Sequence, residues 1–189
     1  MTLLVISPAD TAGTVQTHTT DPTQIAAELA KVGVDFGRWS ADVDLSAEAS
    51  AEEILRAYAP DVRRLAERGY TTVDVARMVL DPNADGYADS VAAARSKFLA
   101  EHRHADDEVR FFVEGSGAFY LHIDGRVLAV VCEAGDYISV PAGTTHWFDM
   151  GSRPRFTAIR FFQSADGWVG DFTGSDIAER FPTYDELVA

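Results

Sequence analysis

The 189-residue chain has the size of one ordinary domain, and 47% of it is hydrophobic, enough for a single core without disulfide or metal staples. Thirty acidic residues against sixteen basic ones give a formal net charge of −14, which repels nucleic-acid phosphates and anionic lipid and argues against either as a partner. No stretch approaches the roughly 20 apolar residues of a membrane span, and the opening MTLLVISPADTAG lacks a basic n-region, so a soluble cytoplasmic protein is expected.

Residues 1–7 are a short apolar run that predicts a strand. Asp21-Pro22-Thr23 predicts the start of a helix running through Lys31, because proline in a first turn lacks only a donor that would have no partner there. Further helices are predicted over residues 46–58, over 60–69, and from Thr71-Thr72-Val73-Asp74 to a stop before Asp81-Pro82-Asn83. From Lys97 onward the helical period fades. Short apolar runs then alternate with turn signals such as Gly115-Ser116-Gly117, Asp124-Gly125, Ala134-Gly135-Asp136 and Pro141-Ala142-Gly143, as in an antiparallel sandwich or barrel. With no repeat and no low-complexity tract, one domain is expected over 1–189. It divides into a strand and helices in 1–95, a barrel with its site in 96–165 and a C-terminal segment in 166–189, the helical part packing on the barrel. The single cysteine, Cys132 in VLAVVCEAG, is expected to be a buried strand residue.

EHRHADDEVRFF, residues 101–112, concentrates titratable groups ahead of an apolar run. On a strand, His102 and His104 leave the same face; on a helix they would diverge by roughly 200°. Glu108 keeps their parity, yet a straight strand would carry it about 20 Å from His102 at roughly 3.3 Å per residue. Donors to one ion lie only about 2.0–2.2 Å from it. The three share an ion only if the chain reverses between His104 and Glu108, and Ala105-Asp106-Asp107 is a suitable polar turn. His146 follows a strand and the Pro141-Ala142-Gly143 turn, which can return its ring to a barrel mouth. Three imidazoles and one carboxylate would leave an octahedral divalent ion two open positions, whereas a structural zinc site is typically closed and tetrahedral. His18 and His122 lack ligand spacing.

These segments resemble the two cupin signatures, as His102-x-His104-x3-Glu108-x6-Gly115 and Gly135-x5-Pro141-x-Gly143-x2-His146. Two positions depart from the pattern, Ser96 for a glycine and Met150 for an asparagine, and neither is a proposed ligand. The flanking strings KFLAEHRHADDEVRFFVEGSGAFYLHI, PAGTTHWFDMG and FTAIRFF, with FGRW at 36–39 and GWVGDFTGSDIAERFP near the C-terminus, resemble the acireductone dioxygenases of methionine salvage over most of the chain. The resemblance implies a mainly β fold, a cupin jelly-roll barrel, and a monomer. It also implies one Fe(2+) or Ni(2+) per chain on His102, His104, Glu108 and His146, with dioxygen and the acireductone 1,2-dihydroxy-3-keto-5-methylthiopentene as substrates.

Arg110 shares parity with Glu108, so it is expected to face the same cavity, where a cation would stabilise a bound enediolate. Asp107 and Glu101 are candidates for a general base or for orienting a ligand histidine, with solvated turn residues as the competing reading. Phe98, Phe148 and Trp168 either wall the substrate's methylthio tail or pack in the core. Arg160, a charge inside the apolar FTAIRFF, is either buried with a partner or turned to the site. The rival functions are a different cupin dioxygenase and a non-catalytic cupin that keeps its metal as a structural fixture.

Overall fold

The computed structural model describes residues 1–189. Its elements in chain order are β1 (Leu3–Pro8), β2 (Thr17–Thr19), α1 (Pro22–Ala30), β3 (Asp35–Arg38), α2 (Ala51–Ala57), α3 (Ala59–Ala66), β4 (Thr72–Val79) and α4 (Tyr87–Ser96). There follow β5 (His102–Arg103), β6 (Glu108–Ile123), β7 (Arg126–Glu133), β8 (Asp136–Val140), β9 (Thr145–Asp149), β10 (Arg155–Phe162) and β11 (Asp171–Phe172), then a 3-10 turn at Ile177–Arg180 and α5 (Tyr184–Leu187). No helix is long and apolar enough to cross a membrane.

The strands form two layers that share β6. Its first half pairs with β8 and β10, extended outward by β3 and β4, so that layer runs β3-β8-β6-β10-β4. Its second half pairs with β7 and β9 in a layer that runs β11-β5-β9-β6-β7-β1-β2. The two layers do not join into a closed ring of hydrogen bonds. β6 changes layer at Gly115, where φ is +65° and a Cβ would lie 1.8 Å from the Arg155 carbonyl oxygen, so only glycine fits. A register shift between Thr157 and Ala158 marks the bulge that goes with the bend.

Strand alternation sorts β6 cleanly. Phe112, Phe119 and Leu121 point between the layers, into a core with Leu4, Ile6, Leu128, Val130, Ile138, Phe148 and Phe156 that Ile25 and Leu29 of α1 close at one end. Val109, Phe111 and Val113 point outward, where Ile54 of α2, Leu65 of α3 and Tyr58 between the two helices cover them. The outer face of the second layer, with Tyr120 and Trp147 stacked 5.0 Å apart, is covered by Ile177 and Phe181. The helices thus pack on the β framework as the sequence led us to expect, and Cys132 is fully buried in β7.

Three expectations need correction. Residues 72–79 form a strand, not a helix: Thr-Val-Asp-Val-Ala-Arg-Met-Val is short enough to suit either period, and pairing with β10 from Arg155↔Val79 to Phe162↔Thr72 decides it. The helix expected from residue 46 begins only at Ala51, because Ser50 and Glu53 form a reciprocal capping box that sets the start there. The reversal expected between His104 and Glu108 does not pair the segments on either side of it as a hairpin. β9 lies between β5 and the second half of β6, since His146 pairs with both His102 and Leu121, so the turn moves the chain from one layer to the other. Helix α4 lacked a clear apolar stripe in the sequence and buries only Val91 and Ala94.

Candidate metal centre

His102 comes from β5, His104 from the residue after it and His146 from β9, and their donor nitrogens all lie within 4.8 Å of one another. The Pro141-Ala142-Gly143 turn is held against the 104–107 segment by Gly143 N–H donating to the His104 carbonyl at 2.9 Å and Ala142 N–H donating to Asp107 Oδ1 at 2.8 Å. These bonds bring His146 to the pair. Glu108 opens β6 from the other layer and places Oε2 3.5 Å from His146 Nε2 and 3.7 Å from His104 Nε2.

Each imidazole has its Nδ1 against a backbone carbonyl: His102 on Ala100 at 2.8 Å, His104 on Val169 at 3.0 Å, His146 on Thr144 at 2.9 Å. A carbonyl only accepts, so each Nδ1 carries the proton and each Nε2 presents a lone pair to the centre, the tautomer a metal ligand needs. Burial, reinforced by the neighbouring His146, pushes His102 down to about 4, and burial lowers His104 against the pull of Glu108. Both rings are therefore neutral at physiological pH. Burial alone would raise the Glu108 carboxyl, but the charge of Arg110 holds it well below the usual carboxylate range.

Glu108 Oε2 and His146 Nε2 are buried atoms with no hydrogen-bond partner, although they face each other. Burying an unsatisfied polar group costs about 1–3 kcal/mol. A divalent cation between them removes both deficits at once, and three neutral imidazoles with one carboxylate suit iron, nickel and related ions. The residues fit such an ion.

The centre lies on a cavity of about 460 Å³ lined by Lys97, Phe98, His102, His104, Arg110, His146, Phe148, Arg160, Trp168, Gly170 and Phe172. Arg110 is buried, donates to Glu108 Oε1 at 2.5 Å, and rests between the Phe119 and Phe148 rings at 4.6 Å from each centroid. Arg160 stands opposite Arg110 across β6 and β10, a like-charge pair made tolerable because Arg160 is itself clamped by Asp74 through bonds of 2.8 and 2.6 Å. Phe98, Phe148 and Trp168 form apolar wall, and Trp168 and Phe172 stay half-exposed at its rim.

Asp107 and Glu101 do not line this cavity. Asp107 is taken up by Ala142, Tyr70 and Gln163, and buried Glu101 accepts from His122 Nδ1 at 2.7 Å and Thr173 Oγ1 at 2.6 Å. Neither orients a ligand histidine, since carbonyls fill that role. Lys97, Gly170 and Phe172 were absent from the sequence-derived site. Gly170 and Phe172 arrive from beyond β10, and only their membership of the GWVGDFTGSD string hinted at them.

The chain matches the ARD/ARD' family over residues 2–170. It belongs to that family. Relatives include acireductone dioxygenase 2 of Nocardia farcinica, 53% identical over 189 residues covering 100% of this chain and 98% of the relative. The acireductone dioxygenase of Frankia alni is 55% identical over 188 residues, covering 99% and 91%. Among solved structures, acireductone dioxygenase from Bacillus anthracis with a cadmium ion in its active centre aligns with a TM-score of 0.75 at 28% identity, covering 91% of this chain and 98% of that one. The family's members are oxidoreductases, and the architecture is the cupin fold.

Proposed function

We propose that this chain is a metal-dependent dioxygenase that cleaves the acireductone 1,2-dihydroxy-3-keto-5-methylthiopentene with dioxygen in methionine salvage, holding one Fe(2+) or Ni(2+) on His102, His104, Glu108 and His146. The observation that carries this is the convergence of three Nε2 lone pairs at the wall of a cavity that also holds the buried cation Arg110, with the unpartnered oxygen of Glu108 within 3.5 to 3.7 Å of two of those nitrogens. When bound, the ion would supply a Lewis acid for a chelating substrate. The side chains do the rest. Arg110, fixed by Glu108 and two phenyl faces, sets a positive charge where the enediolate must lie, so the anion is favoured on arrival. Phe98, Phe148 and Trp168 offer apolar surface to the methylthio tail and displace water from it.

The resemblance to the family carries the product assignment: the iron form gives formate and 4-methylthio-2-oxobutanoate, the nickel form formate, carbon monoxide and 3-methylthiopropanoate. The same proposal takes one domain over 1–189 and a cytoplasmic monomer with no nucleic-acid or membrane partner. Metal analysis followed by anaerobic addition of the acireductone and then oxygen tests it. Substrate should disappear in the iron-loaded and nickel-loaded proteins, with carbon monoxide only from the latter; no consumption by either would refute the assignment.

A further inference from the structure

The cavity is lined by three cations, Lys97, Arg110 and Arg160, and by no carboxylate, in a chain with thirty acidic residues against sixteen basic ones. Two of the three are already matched, Arg110 by Glu108 and Arg160 by Asp74. Lys97 has no carboxylate within 4.0 Å, and its side chain makes no hydrogen bond. It is one of only two lysines in the protein; the other, Lys31, pairs with Glu28 at 2.8 Å. Its backbone is well placed. Lys97 caps the C-terminus of α4, and the next residue, Phe98, accepts at its carbonyl from Phe148 N–H at 2.9 Å, which ties this corner to the strand that carries His146.

We propose that Lys97 is a substrate-binding residue, the one uncommitted positive charge at the cavity mouth, which draws in and holds the anionic reductone. This rests on the function proposed above. An enediol conjugated to a ketone is a vinylogous acid and enters as an anion; a net charge of −14 repels it overall, whereas the charged side chains of this wall are all cations. Arg110 then receives the enediolate inside. A cation at a helix C-terminus also complements the helix dipole, so a purely structural role for Lys97 makes different predictions.

The test compares metal-loaded wild type with Lys97→Met, Lys97→Arg and Lys97→Glu at about 10 mM and about 1 M salt. A unit-charge contact near 4 Å in water corresponds to roughly a five-fold factor. Lys97→Met should raise KM by about five-fold at low salt while kcat at saturating substrate holds, Lys97→Arg should restore KM, and Lys97→Glu should raise it further. All differences should collapse at about 1 M salt, where the screening length is about 3 Å. In wild type reductively methylated with carbon-13, anaerobic acireductone should move the Lys97 resonance and leave that of Lys31 in place. An unchanged KM for Lys97→Met at low salt, or a loss that neither arginine nor salt reverses, would overturn the proposal. Failure of the wild type to consume acireductone would instead overturn the function on which it rests.

Discussion

His102 and His146 are oriented by carbonyls two residues earlier in their own segments, Ala100 and Thr144, whereas His104 takes its orientation from Val169, 65 residues away. The first two anchors form with the local backbone of two paired strands, His102 opposite His146. The third depends on the segment between β10 and β11, which returns across the cavity and carries Trp168 and Gly170 on its wall. That segment is pinned at one end by Asp106, whose Oδ2 accepts from Ser164 N–H at 2.6 Å and Ser164 Oγ at 2.7 Å, and at the other by Glu101, which accepts from Thr173. Two ligands therefore take their orientation from the sheet, and one from a cover whose position is set by side chains far off in sequence.

The largest effect comes from removing the carboxylate that His104 and His146 face. Glu108→Ala takes away the carboxylate and leaves Arg110 buried without its ion partner, which costs about 3–5 kcal/mol. Chemical denaturation should show that loss, and metal analysis after dialysis should find no bound ion. The double variant Glu108→Ala with Arg110→Met should recover most of the stability and none of the metal. If the double variant remained as unstable as the single one, the strain would lie elsewhere than in the unpaired guanidinium.

An intermediate effect should separate the two kinds of anchor. Asp106→Ala releases the Ser164 end of the cover without touching any ligand, and loss of a group that orients ligands typically costs 10–100-fold in metal affinity. Because β11 still pairs with β5, about ten-fold is expected. In the zinc-loaded protein the nitrogen resonances of His104 should shift while those of His102 and His146 hold. Equal shifts in all three rings would mean that the cover and the sheet act as one body, and the distinction would fall.

The sheet-borne part of the centre was the legible part. Parity along EHRHADDEVRFF and the Pro-Gly turn before His146 are local patterns, and they point to the meeting of these side chains without any knowledge of the rest of the fold. The contributions from elsewhere were hidden for physical reasons. Strand β4, which supplies Asp74 to Arg160, has an eight-residue sequence that fits both helical and strand periods until β10 lies beside it. Val169 acts through its carbonyl, a group every residue possesses, so no side-chain pattern marks it. Lys97 is informative only once its lack of a carboxylate partner in space is known.

The smallest effect should come from Glu101, which adjoins a ligand in sequence but faces away from the cavity. Its Oε1 takes the His122 Nδ1–H and its Oε2 the Thr173 hydroxyl, so its work is to fasten the second end of the cover to β5. Glutamine at this position keeps an accepting oxygen of the same reach, and Glu101→Gln should leave kcat within about three-fold of wild type. A general base would behave otherwise, since losing one costs on the order of 10²–10⁴ in rate. Steady-state kinetics on Glu101→Gln, with metal content and denaturation midpoint matched to wild type, therefore distinguishes fastening from proton transfer. A hundred-fold fall in kcat with metal content unchanged would place this carboxylate in the chemistry and oblige the cover to open toward it during turnover.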